Sequence, residues 1–422
     1  MPFATAQGDT RHAHHLFARE PPPPNPITSC YDKNHSHIYA HTYMLSDIPL
    51  DLFLQCIVPW LGHEGLVLRK LDRHHRDWVQ LRQQLPWDVP HLANLPDWIH
   101  HVGRVKQHQT FTPNPRVRSI EDLDLASHWE LLALRQWHRL QRLDRVWVSH
   151  AHASDLPWLN TWQVRDLGLF RSRRVTTRDF DQFCRAAPQL RSLKLYYMPH
   201  LELTPGGLPA NLTSLSIVQS LGIHVGPGML PERLRELTLH RVTLAPKFGS
   251  ALPGSLVHLD LIECHALTLQ GMACPRLTHV HLRHHGHLDL DPLLTGAPNV
   301  QQLHLGLFGP VTMVDPLPWT QLDHFQLEHG SQMADGITRA ILQAASHSRV
   351  LDARGLSLAN WSLVPFPRLE SLTLNWDQSW PTEIRGHPSL REFHIHHSAQ
   401  AFMSRAKVAE WCGLELRHVV FY

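Results

Sequence analysis

Histidine dominates any search of this chain for chemistry, with 36 among 422 residues. The run HLRHHGH occupies residues 281–287, and further histidines recur at regular distances on either side of it. An imidazole can ligate a metal, carry a proton, or change charge near neutral pH. His258, Asp260, His279, His281, Arg283 and His304 stand out, because alternate residues of an extended segment share one face. Three readings of these residues stay open. The imidazoles with Asp260 could hold Zn²⁺, although exposed flat strands rarely fix a tetrahedral set. They could form a patch for an acidic or phosphorylated partner, strengthened below about pH 6.5 as the imidazoles charge. They could also be solvated residues inherited from composition, since Arg outnumbers Lys 33 to 6 and Pro and Ala are plentiful.

The elements that would position these residues come from a repeat. Aligned on L-x-x-L-x-L, the chain reads LRSLKL from Leu190, LTSLSI from Leu212, LRELTL from Leu234 and LVHLDL from Leu256. It continues with LTHVHL from Leu277, VQQLHL from Val300, LDHFQL from Leu322, LESLTL from Leu369 and LREFHI from Leu390. From Leu190 to Leu322 the steps are 22, 22, 22, 21, 23 and 22 residues. Weaker copies start at Leu143, Val164 and Leu416, and the 47-residue gap before Leu369 leaves room for a worn copy near Val350. Each x-L-x-L-x segment turns two apolar residues to one face and three to the other, as a short strand does. One such strand is unstable alone, but about a dozen stacked strands bury a continuous core. A proline precedes many of the copies, as in LPANL, LPERL and LPGSL, where a missing N–H marks the strand start. Between strands, 176–187 and 335–345 read as helices, the first with a cap from Thr176 and Asp179.

The repeat resembles the leucine-rich repeat over residues 140–422, and LVHLDLIECHALTLQGMACPRL (256–277) is similar to its cysteine-containing subtype, with Cys264 at the signature position. The corresponding residues in other copies are Met198, Ser220, Val242, His285 and Phe308. The resemblance implies an α/β fold: a solenoid of about 12–13 repeats with a curved parallel sheet. The six named residues would then lie together on its concave face.

Ahead of the repeats, SDIPLDLFLQCIVPWL (46–61) combines capping residues, Pro49 in a first turn, and apolar positions at helical spacing. Residues 66–81 continue in the same manner. Residues 45–81 resemble an F-box, carried by Ile48, Pro49, Leu52, Ile57, Leu61, Leu66, Leu68 and Trp78, with His74 where an apolar residue is usual. An F-box followed by leucine-rich repeats implies the substrate-receptor subunit of an SCF-type (cullin–RING) ubiquitin ligase. Ile48, Pro49, Leu52, Ile57, Leu61, Leu66 and Trp78 would dock a Skp-type adaptor, the repeats would hold an unknown protein target, and catalysis would belong to other subunits. A free-standing repeat scaffold with no ubiquitin link is the alternative.

Composition bounds the rest. Apolar content of 43 % and charged content of 18 % suit an ordered protein. A formal charge of +2 gives no polybasic signal for membrane or nucleic acid, although Arg171, Arg173 and Arg174 form a small basic cluster. Cys30, Cys56, Cys184, Cys264, Cys274 and Cys412 are scattered, as reduced intracellular thiols would be. No apolar leader opens the chain and no run is long enough to span a bilayer, so a cytoplasmic or nuclear protein is expected. Nucleotide-binding, nucleophile-elbow and zinc-protease motifs are absent, so no cofactor and no enzyme activity are expected. The expected organisation is a disordered His/Pro-rich tail (1–40), an F-box-like helical module (41–82), a linker or degenerate first repeats (83–139), and the repeat domain (140–422).

Overall fold

The computed structural model describes residues 101–106, 118–135, 140–314, 319–329 and 335–354, with parts of 363–421. The adaptor-docking residues Ile48, Pro49, Leu52, Ile57, Leu61, Leu66 and Trp78, like the whole of 1–82, lie outside them.

The strands in chain order are β1 (His101–Lys106), β2 (Ser119–Leu125), β3 (Arg142–Ser149), β4 (Asp166–Phe170), β5 (Ser192–Tyr196) and β6 (Ser214–Val218). They continue with β7 (His224–Val225), β8 (Glu236–His240), β9 (Thr243–Leu244), β10 (His258–Ile262), β11 (His279–His284), β12 (Leu288–Asp289) and β13 (Gln302–Leu307). The last are β14 (Val311–Thr312), β15 (His324–His329), β16 (Val350–Asp352), β17 (Ser371–Asn375), β18 (Glu392–His396) and β19 (Val419–Phe421). Fifteen of these form one parallel sheet in chain order, while β7–β9 and β12–β14 make two small pairs between repeats. This is a leucine-rich-repeat solenoid.

Register follows the leucines. Leu193, Leu215, Leu237, Leu259, Val280, Leu303 and Phe325 are aligned partner to partner across seven strands. Leu195, Ile217, Leu239, Leu261, Leu282, Leu305 and Leu327 make the second row, and both rows are buried. A slip of one residue would put every one of these side chains in water, so the pattern permits one pairing. The worn copy near Val350 is β16, which pairs with β15 and β17. The sheet also starts before the copy at Leu143, because β1 and β2 fall within 83–139, and Ile120, Leu123 and Leu125 of β2 are aligned with Leu143, Val146 and Val148 of β3.

Helices fill some returns: α1 (His128–Arg135), α2 (Leu156–Thr161), α3 (Thr177–Ala186), α4 (Asp291–Gly296) and α5 (Asp335–Ala344). At the start of α3, Thr176 Oγ1 accepts from the Asp179 N–H and the Asp179 carboxylate accepts from the Thr176 N–H. Phe180, Phe183 and Cys184 bury the inner face of that helix. Among the described residues no helix is long and apolar enough to cross a membrane.

One regular feature joins the strands to their returns. His150, Arg171, Tyr197, Gln219, Arg241 and Glu263 each follow a strand directly and take φ between 50° and 58°. None is glycine, and the left-handed conformation costs each on the order of 1 kcal/mol. Each offsets this by donating its N–H to the next strand, as Arg171 does to Tyr196 O at 2.9 Å and Gln219 to His240 O at 2.8 Å. The row of side chains so produced forms one rim of the sheet.

β11 breaks the row. It runs one residue further than β10, as β13 does after it, so His284 pairs with Leu307 and ends the strand as a buried residue while His285 is exposed. His284 therefore reaches the depth expected of His285, and it is strand rather than loop. In the earlier repeats Ser172 and Ser220 occupy that depth, and their hydroxyls accept the N–H of Ala151 and Met198, both at 3.0 Å. Cys264 does the related work as a donor, toward Leu239 O at 3.2 Å.

Candidate functional site

Strand pairing brings the predicted residues of the open face together. His258 is aligned with His279, and Asp260 with His281, which is aligned in turn with His304. Neighbouring strands lie close enough for flat rings to meet face to face. His258 and His279 stack with centroids 4.2 Å apart and planes 16° from parallel, and His281 and His304 do so at 4.2 Å and 9°.

Asp260 anchors this group. Its Oδ2 lies 3.2 Å from His240 Nε2 in a hydrogen bond, and its Oδ1 lies 3.1 Å from His281 Nδ1 without hydrogen-bond alignment. Burial alone would raise the carboxyl's pKa, but the two imidazoles outweigh it and hold Asp260 down at about 2. His304 Nε2 is 3.5 Å from Glu328 Oε1 without hydrogen-bond alignment, and that oxygen accepts from Gln326 Nε2 at 3.1 Å. Burial and then the charge of His281 lower the pKa of His304, against the opposing pull of Glu328 and Asp352. Burial, followed by His258, lowers that of His279.

These side chains line a groove of about 600 Å³ that extends from Thr238 on β8 to Thr373 on β17. His258, Asp260, His279, His281 and His304 all line it. Arg283 does not. Gly306, its partner on β13, leaves room for the arginine side chain to lean across, so its guanidinium sits 5.1 Å from the Phe308 ring centroid, toward the rim. Gln302, His324, Gln326 and Asp352 complete the lining instead. No lysine or arginine lines the groove among the described residues, and of its two carboxylates Asp352 is already held by Arg354 at 2.7 Å. The surface therefore offers imidazoles, amides and hydroxyls, which recognise a ligand through hydrogen bonds more than through net charge. Among the described residues no group of three or more His, Cys, Asp or Glu converges as a metal centre would.

No protein-family model matches the chain, and no curated protein matches it. Among solved structures the chain is similar to CroV588, described as a novel circular leucine-rich-repeat protein. That match has 13% identity and a TM-score of 0.39, covering 74% of this chain and 55% of the other. It is also similar to the Rad7 and Elc1 complex of yeast, at 13% identity and a TM-score of 0.38, covering 84% of this chain and 91% of that one. The chain thus spans about half the length of the first of these.

A second groove, of about 830 Å³, runs along the rim. Tyr197, Gln219, Arg241 and Glu263 of the left-handed row line it, with Leu221, 58% exposed, and His285. Arg241 Nε binds Glu263 Oε2 at 2.7 Å, and His285 stacks on Phe308 at 4.9 Å. Sequence reasoning passed over this surface because it follows the x-L-x-L-x motif by one residue, and only the left-handed turn aligns it.

Proposed function

We propose that the protein is the target-recognition subunit of an SCF-type ubiquitin ligase. Residues 45–81 dock a Skp-type adaptor through Ile48, Pro49, Leu52, Ile57, Leu61, Leu66 and Trp78, and the groove on the open face holds a protein target. Ubiquitin transfer is the work of partner subunits. The observation that carries this reading is the order of the chain: an F-box-like segment ahead of a repeat solenoid whose open face gathers His258, Asp260, His279, His281 and His304 into one groove. Repeat solenoids present long surfaces of this kind to other proteins. Arg283, turned to the rim, contributes to target contacts only where a target overlaps that edge.

Co-expression with a Skp-type adaptor tests the assignment. The full chain is expected to co-purify with the adaptor, and Pro49→Ala with Leu52→Ala is expected to abolish this while thermal unfolding of the solenoid is unchanged. Apolar anchors at a desolvated interface contribute most of its binding energy. Undiminished co-purification, or none with the unaltered chain, would leave a free-standing repeat scaffold.

A further inference from the structure

The basic cluster at Arg171, Arg173 and Arg174 has no part in the groove or in adaptor docking. In the fold it meets the preceding repeat. Arg174 forms a parallel β-bridge with His152, and its Nη1 lies 3.3 Å from His152 Nε2. Together with His150 these residues surround a cavity of about 370 Å³ beyond the ends of β3 and β4.

Three features make the cavity more than a charged patch. Its backbone is fixed on every side. The N–H of left-handed His150 donates to Phe170 O at 2.8 Å, that of Arg171 to Tyr196 O at 2.9 Å, and that of Arg173 to Arg171 O at 2.9 Å. Buried Ser172 ties the two repeats together through the Ala151 N–H. The Arg171 guanidinium is held over Phe170 and Tyr197, 5.0 and 5.3 Å from the ring centroids, which restrains its position while leaving its N–H edges to a ligand.

The third feature is charge. Among the described residues none of the three arginines makes an ion pair, whereas Arg142, Arg241, Arg349 and Arg354 bind Asp144, Glu263, Glu370 and Asp352 at 2.7 or 2.9 Å. The nearby acids are turned elsewhere. Asp155 is fully buried and accepts the His152 N–H at 2.8 Å, and Asp179 caps α3. Among the described residues no carboxylate lines the cavity.

We propose that this cavity binds a phosphomonoester group, free or carried on a serine side chain, through the forks of Arg171, Arg173 and Arg174 with His150 and His152 beside them. Guanidinium forks match phosphate oxygens two at a time, and clusters of arginine are a general means of reading a phosphate. One phosphate, rather than a nucleic-acid backbone, fits because among the described residues the cationic surface does not continue along the rim toward β6 and β8. Next along the rim come Tyr197, Gln219 and Leu221, and then Arg241 is already paired with Glu263. The inference stands whether or not residues 45–81 bind an adaptor.

The test uses the full chain and a labelled alanine peptide carrying one phosphoserine, followed by fluorescence anisotropy. Saturable binding is expected, with none to the unphosphorylated peptide and a shallow dependence on salt. Arg173→Ala with Arg174→Ala should weaken it at least about tenfold at an unchanged unfolding midpoint, and Arg174→Lys, which keeps the charge but loses the fork, should weaken it less. Competition by inorganic phosphate would assign the site to the free ion as well, and failure to compete would assign it to the serine-borne group. Equal binding of both peptides, or undiminished binding by the double variant, would overturn the proposal. So would a short oligonucleotide that displaces the peptide with a steep salt dependence, which would mark a nucleic-acid surface.

Discussion

His281 and His304 lie face to face, 4.2 Å apart, while one is held against Asp260 and the other faces Glu328. Two imidazoles at that distance cannot both become cations without mutual repulsion. Burial, with the neighbouring imidazole adding to it, therefore keeps His304 neutral further into the acid range than an ordinary histidine.

Acid should begin to destabilise the solenoid in the histidine range. Burial lowers the pKa values of His279, His284, His304 and His387 in the folded state. Between those values and the ordinary histidine value of about 6.5, the unfolded chain binds more protons than the folded one, so stability falls as pH falls. Asp260 acts in a lower window: with its pKa down at about 2, its contribution is intact above the ordinary carboxylate range and is lost as pH drops toward that value. Thermal unfolding midpoints are expected to decline from pH 7 to pH 5, and less steeply in His304→Gln. A flat profile over that range would contradict the lowered pKa values of these four histidines.

Ser220→Ala should cost more than its small change in volume suggests. The Ser220 hydroxyl is fully buried, accepts the Met198 N–H at 3.0 Å and donates to Val218 O at 3.1 Å. Alanine leaves that buried N–H without its acceptor, a loss of about 1–3 kcal/mol. The urea midpoint should shift down with little change in slope.

The three described cysteines should resist alkylation until the chain unfolds. Cys184, Cys264 and Cys274 are buried. Burial pushes all three thiols up, Cys264 and Cys274 to about 11, which leaves very little thiolate near neutral pH. Peptide mapping after iodoacetamide treatment is expected to find them unmodified in buffer and modified in denaturant. Labelling of Cys264 in the folded protein would show that the repeat around it opens readily.

Which parts of this architecture could be read in advance depends on how far each is set by alternation. Leu237, Leu259 and Val280 announce their register, because each apolar residue has a buried slot that no neighbour can take. The patch of His258, Asp260, His279, His281 and His304 follows from that register alone. β1 is harder: HVGRVK lacks the leucine signature, yet it pairs in parallel with β2, whose IEDLDL carries the motif with isoleucine in the first place. Asp352 joins the groove from a strand of three residues, too short for a period to show. Arg283 shares the face but not the groove, since its direction depends on the glycine beside it. His284 took the buried place expected of His285 because β11 is one residue longer than the repeat implies. Side-chain direction and strand length are local packing outcomes, and neither has a periodic mark in the sequence.

Gly168→Ala should disturb the open face at its other end. Gly168 is aligned with Trp147 of β3 and Lys194 of β5, and the indole lies directly over it. A methyl group there would fall well inside van der Waals contact of Trp147 Cε3, so the ring must move. Moving it also disturbs Lys194, whose Nζ is 5.0 Å from the indole centroid, and Tyr196, whose ring lies 5.9 Å away. Overpacking of this kind costs about 1–3 kcal/mol. The same alanine in a Trp147→Ala background should cost much less, because the clash partner is gone. A double-mutant cycle in urea separates the two cases: a coupling above about 0.5 kcal/mol shows the glycine serving the tryptophan, and additivity shows that the ring is not held there in solution.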